Sequence, residues 1–128
     1  MAATLTVKGN VGFPGEDDPA TPAPTPSQID LALSLVFGQK ADLELNYDGA
    51  VTDQVIGLGT VGNSPGAKFL VIKCTAGTAS IKLNDDNSGK PVSAVGGYII
   101  IANPTQGWLT GIKVTTTGAA KVRIWVRG

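Results

Sequence analysis

The chain has no histidine, a single cysteine and a single methionine, and aromatic residues make up only 5% of it. Without histidine it cannot build a Ser-His-Asp or Cys-His site, nor a histidine-ligated zinc centre. Cys74 stands alone inside the apolar run Phe69-Leu70-Val71-Ile72-Lys73-Cys74, which marks it as a small core residue and not a nucleophile. Net charge is also missing: the formal sum is zero and there is no basic run, so little counterion release is on offer and no nucleic-acid partner is expected. No apolar stretch approaches the ~20 residues of a membrane span, and no charged segment leads into an apolar leader. The expectation is a protein made in the cytoplasm, with no anchor of its own and no membrane partner. Seventeen glycines and eight prolines interrupt any 3.6-residue periodicity, which argues against a helical bundle.

What the sequence does contain is a series of short, β-branched segments. In the last third these are Phe69–Cys74, Ser80–Leu83, Tyr98–Ala102, Ile112–Thr115 and Lys121–Val126, each bounded by Gly, Asn, Asp or Pro. That punctuation belongs to an antiparallel all-β domain. At 128 residues the chain is one domain by size, large enough to bury a core without disulfides or metals. The predicted fold is an antiparallel β-sandwich of about eight strands over residues 28–128, preceded by an extended arm and Pro-rich linker over residues 1–27.

The arm opens with the alternating Thr4-Leu5-Thr6-Val7, long enough for one strand but too short to be stable unpaired. From Phe13 to Ser27 the composition turns Pro-rich, which favours polyproline II at ~3.1 Å per residue and a reach of about 45 Å. Such an arm either returns to its own sheet through a long solvated loop or is disordered, or else pairs with a neighbouring subunit or another protein. The last course is expected, because a loose tail has no need of an alternating strand beyond its linker. The sandwich itself begins with Ile29, Leu31, Leu33, Leu35 and Phe37, whose odd parity continues through Leu43, Leu45 and Tyr47, broken at Gly38. This is one apolar and one wet face, in two strands or one bent strand.

Two motifs call for weighing. Gly57-Leu58-Gly59-Thr60-Val61-Gly62 matches GxGxxG, yet Asn63-Ser64-Pro65-Gly66 follows it and would break the helix that a dinucleotide fingerprint must open. A mobile inter-strand loop is expected there. Asp85-Asp86-Asn87-Ser88-Gly89 lacks the alternating ligands and distal Glu of a calcium loop, and turn chemistry accounts for its residues. Carboxylates such as Asp42 and Glu44 share a solvent face without any reason for perturbed acidity, so no enzyme, cofactor or metal is expected.

Charge is unevenly placed. Residues 1–64 carry two cations against eight carboxylates, and residues 65–128 carry eight against two. Opposite charges can meet across ladders of one sheet, or steer one copy toward another; the first is the more general mechanism. In the last strand Val122, Ile124 and Val126 are expected to face the core, leaving Lys121, Arg123, Trp125 and Arg127 on the other side. A Trp among cations is either covered by the chain's own arm or loop, or anchors an interface. Trp108 is expected to plug the end of the sandwich.

The run Gly96-Gly97-Tyr98-Ile99-Ile100-Ile101, then Pro104 to Leu109, then Gly111 to Val126 with its Thr-rich Gly-Ala hairpin, resembles the closing strands of capsid decoration (cement) proteins of tailed bacteriophages, of jelly-roll type. The similarity covers roughly residues 66–128. It implies a jelly-roll sandwich without enzymatic activity, a homo-oligomer (dimer or trimer) on the capsid surface of a virion, with the major capsid protein as partner. On that reading Leu5, Val7 and Phe13 in the arm and Arg123, Trp125 and Arg127 in the last strand are the contact residues. Phage tail and fibre modules have similar strands, and a receptor- or carbohydrate-binding module is the alternative. It would require Tyr47, Tyr98, Trp108 and Trp125 to gather at one end.

Overall fold

The computed structural model describes residues 3–17, 26–103 and 105–128. Among these the chain is antiparallel β throughout, with ten strands and one short 3-10 turn. None of the described helices is long and apolar enough to cross a membrane. The strands are β1 (Ala3–Asp17), β2 (Pro26–Phe37), β3 (Lys40–Tyr47), β4 (Val51–Ile56), β5 (Phe69–Ala76), β6 (Thr78–Leu83), β7 (Lys90–Ser93), β8 (Tyr98–Ala102), β9 (Ile112–Thr116) and β10 (Ala120–Arg127). Eight of them form two four-stranded sheets, ordered β3-β10-β5-β8 and β4-β9-β6-β7. The other two form a separate ribbon.

The sandwich core follows from the period of two. Alternate residues of a strand point to opposite faces, so Val122, Ile124 and Val126 fall inside while Lys121 and Arg123 stay outside, as their alternating burial confirms. Leu70, Ile72 and Cys74 of the first sheet meet Ile81, Val92, Ile112 and Val114 of the second in one apolar cluster. Fully burying side chains of this size contributes about 1.5–3 kcal/mol each, which suffices to hold two sheets together. The β5–β6 turn needs glycine: Gly77 has φ +69, and a Cβ there would run into the Ala119 carbonyl oxygen.

Asn84, just after β6, ties a loop to the core. Its Oδ1 accepts from the Thr110 main-chain N at 2.8 Å, the Thr110 hydroxyl at 3.2 Å and the Gly111 N at 3.3 Å. Its Nδ2 donates to the Trp108 carbonyl at 2.9 Å. Trp108 packs against the core and its indole N–H donates to the Lys68 carbonyl at 3.2 Å.

The ribbon differs from expectation. The strand expected to reach a neighbour pairs instead with β2 of its own chain, from Ala3 opposite Phe37 to Phe13 opposite Ser27, then after a register shift Asp17 opposite Pro26. Phe13–Asp17 therefore extends a strand and does not begin a polyproline linker; the rest of that linker, residues 18–25, lies outside the described residues. The odd-parity run predicted for one sandwich face divides at Gly38-Gln39: β2 joins the ribbon, and the sheets start with Lys40. Alternation specifies a face, and it leaves the pairing partner open.

Candidate functional site

Three of the sequence-predicted contact residues, Arg123, Trp125 and Arg127, share the outward side of the first sheet. Register sets Asp42, Trp125, Val71 and Ile100 in one row across β3, β10, β5 and β8. The next row is Glu44, Arg123, Lys73 and Tyr98, and the row on the other flank is Lys40, Arg127, Phe69 and Ala102. Residues opposite one another in a ladder share a face, so these rows lie on one side of the sheet, where Phe69 is buried. Ile100 is 55% exposed and Tyr98 57%, high values for large apolar side chains. Trp125 is half-buried, with the Arg123 guanidinium 4.9 Å from its ring centroid. Lys73 Nζ stands 5.7 Å from the Tyr98 ring. Cations over aromatic faces on a partly wet surface are the mixture that protein interfaces favour.

Arg127 is engaged within the chain. Its Nη1 donates to Asp42 Oδ1 at 2.6 Å, and its guanidinium lies 5.4 Å from the Phe37 ring at the end of β2. Beside it, Gly38 N and Gln39 N donate to the Gly128 carbonyl at 3.1 and 3.0 Å, and Gly128 N donates back to Gln39 O at 3.0 Å. These bonds fasten the foot of the ribbon to the end of β10. A cleft of about 420 Å3 opens beside them, lined in part by Gly38, Gln39, Val61, Pro65, Lys68 and Gly128.

Of the predicted arm residues, Leu5 is half-buried and opposite Leu35. Val7 and Phe13 occupy ladder positions opposite Leu33 and Ser27, and their side chains lie outside the described set. The four aromatics separate: Tyr47 and Trp108 pack against the core, and Trp125 and Tyr98 lie on the outward face. Tyr47 borders an apolar groove of about 320 Å3 with Leu43, Leu45, Val55 and Ile56, and burial raises its phenol above the ordinary range.

The remaining motifs have structural partners. The GxGxxG stretch ends in a 3-10 turn, Gly59–Gly62, with Leu58 and Val61 buried in the core. It is thus anchored on the sandwich, where a mobile loop was expected. Asp86 accepts from Ser88 N and from Lys90 Nζ, both at 2.9 Å, and the Lys90 ammonium holds its carboxyl below the usual range. Asp53 is likewise lowered, first by the Lys82 ammonium at 2.8 Å. Among the described residues no group of three or more Cys, Asp or Glu side chains could hold a metal ion. The Asp42–Arg127 and Asp53–Lys82 pairs also show that part of the charge opposition between the two halves is used inside the sandwich. Asn84 was not anticipated as an organising residue; its partners lie 24–27 positions away, and only its place at a Leu-Asn-Asp turn hinted at a left-handed backbone.

The arrangement defines a class: an antiparallel β-sandwich bearing a two-stranded ribbon. Comparison with protein-family models, curated proteins and solved structures finds no match for this chain.

Proposed function

We propose that the protein is a non-enzymatic structural component of a virion, decorating the outside of a tailed-phage capsid as a small homo-oligomer and binding across neighbouring major capsid subunits. The observation that carries this reading is the β1–β2 ribbon, which pairs with neither sheet and whose register brings Leu5, Val7, Val11, Ile29, Leu31, Leu33 and Leu35 onto one side of its ladder. A two-stranded ribbon is marginal by itself in water and gains stability when its apolar side is covered. From Ala3 to Phe13 it spans about 35 Å at ~3.4 Å per residue, enough to cross from one subunit to the next.

The connectivity supports the jelly-roll assignment: successive strands of the sandwich alternate between sheets except for the β6–β7 hairpin. The role is mechanical. Each copy adds a weak clamp, and many symmetric copies together resist internal pressure. The test is co-sedimentation of the purified protein with capsids of the phage that carries its gene, followed by heating. Saturable binding at capsid symmetry positions and retention of DNA to a higher temperature are expected. Capsids that neither bind the protein nor gain stability would reject the reading.

A further inference from the structure

We propose that the outward face of the first sheet, along β8, is the seat for the β1–β2 ribbon of a second copy of this chain.

The four sandwich edges are unequally protected. An exposed edge strand invites pairing with another chain unless charge, proline, a bulge or shortness prevents it. β3 presents Lys40, Asp42 and Glu44 outward. β4 has a register shift between Val51 and Gln54, with Asp53 at φ +46. β7 is only four residues long and contains Pro91. β8, Tyr98-Ile99-Ile100-Ile101-Ala102, has no charge and no proline, pairs with β5 without a shift, and leaves Tyr98 and Ile100 more than half exposed. It is the one described edge without protection, and it borders the Val71–Trp125 row.

The ribbon offers what this face lacks. One side of its ladder is mainly aliphatic, while the other mixes Val36 and Ala32 with Thr4, Thr6, Lys8, Asn10, Asp30 and Ser34. The two strands of the ribbon carry Lys8 against Glu16, Asp17 and Asp30, a net charge of −2. The outward face of the first sheet carries Lys40, Lys73, Lys121, Arg123 and Arg127 against Asp42 and Glu44, a net charge of +3. The two surfaces are therefore complementary in charge as well as apolar. The foot of the chain's own ribbon is fastened to Gly128 beside β3, with Phe37 against Arg127, and β8 is the opposite edge of that sheet.

The inference rests on the reading of the chain as a self-assembling structural protein, and a complementation test separates the two. Leu5→Asp damages the ribbon and Ile100→Lys damages the seat, yet each strengthens the charge match, so any loss reports the apolar contact. Both positions lie outside the sandwich core, and circular dichroism checks that each full-length variant keeps its fold. Light scattering at protein concentrations up to about 1 mM should give a defined oligomer for the parent, at least about tenfold weaker association for each variant alone, and recovery of a species containing both chains when the variants are mixed. A parent that is monomeric over that range, either variant still assembling alone, or a mixture that stays dissociated would overturn the inference; a Leu5→Asp chain that still assembles would indicate β8 on β8, and an Ile100→Lys chain that still assembles would indicate ribbon on ribbon. Capsid binding with failed complementation sinks this inference alone, and complementation without capsid binding sinks the virion reading alone.

Discussion

Replacing Asn84 isolates how one side chain fixes a loop. Asn84 holds φ +54 and makes four side-chain hydrogen bonds to Trp108, Thr110 and Gly111. In Asn84→Ala the left-handed backbone costs about 1 kcal/mol more, since Asn tolerates that region and a bare Cβ does not. The lost bonds, partly replaced by water because Thr110 is exposed, add about 1–2 kcal/mol. The expected total of about 2–3 kcal/mol corresponds to a urea midpoint lower by roughly 1–2 M, with an unchanged slope. Asn84→Gly relieves the backbone and should be milder than the alanine variant by about 1 kcal/mol. Asn84→Asp keeps the acceptor and the backbone preference but loses the bond to the Trp108 carbonyl, for about 1 kcal/mol. If the alanine variant costs less than about 0.5 kcal/mol, within the noise of surface substitutions, Asn84 does not organise this loop. If glycine is as costly as alanine, the backbone contribution is wrong.

Three further outcomes follow from named contacts. Gly77→Ala should cost at least about 2 kcal/mol through its positive φ and the Ala119 carbonyl, whereas Gly49→Ala, with open space around it, should be neutral or stabilise by up to about 1 kcal/mol; paired thermal melts decide this. Because the Lys82 ammonium lowers the Asp53 carboxyl, that pair stabilises the fold at neutral pH and stops doing so as pH falls below about 4. An NMR titration should place Asp53 below the ordinary range and return it toward that range in Lys82→Met, and an unmoved midpoint would dismiss the coupling. Arg127→Ala should cost about 1 kcal/mol or less, given the partly exposed Asp42, and should speed amide exchange at Gly38 and Gln39 while leaving Ile72 protected. Unchanged exchange at those two amides would show that Arg127 does not secure the ribbon foot.

Local pattern located the sandwich strands well. Tyr98–Ala102 coincides with β8, and the inward set Val122, Ile124 and Val126 is buried as its parity required. Each of these segments is apolar on one side over several residues, and burial of that side leaves one register available. β7 was missed because it is short and contains Pro91, tolerated on an edge. For β1 only Thr4–Val7 showed alternation, and the linker was expected from Phe13 because Pro14 and Gly15 carry loop propensity, which pairing with β2 overrides. The partner of β2 was invisible for a different reason. Its odd-parity residues continue into β3 without a break in pattern, and the two strands part company only because Gly38 and Gln39 bond to Gly128, ninety residues further along.

That shared pattern also sets the energy available for assembly. Leu43 and Leu45 of β3 pack against the sandwich core, whereas Leu5, Val7, Ile29, Leu31, Leu33 and Leu35 share one side of a ladder that no other strand pairs with among the described residues. Moving such a side chain fully from water contributes about 1.5–3 kcal/mol. With half of that realised on docking, six residues supply roughly 5–9 kcal/mol. Association of two bodies costs about 4–15 kcal/mol in lost freedom. The largest surplus of that gain over that cost is about 5 kcal/mol, so a single ribbon in a single seat is expected to bind weakly, with a Kd of about 0.2 mM or above. A chain built this way gains strength by repetition: once a lattice holds neighbouring copies at high effective concentration, the same modest contact closes without paying the full association cost again. Weak self-association in dilute solution and firm attachment in an array are then two consequences of one ribbon that pairs with neither described sheet.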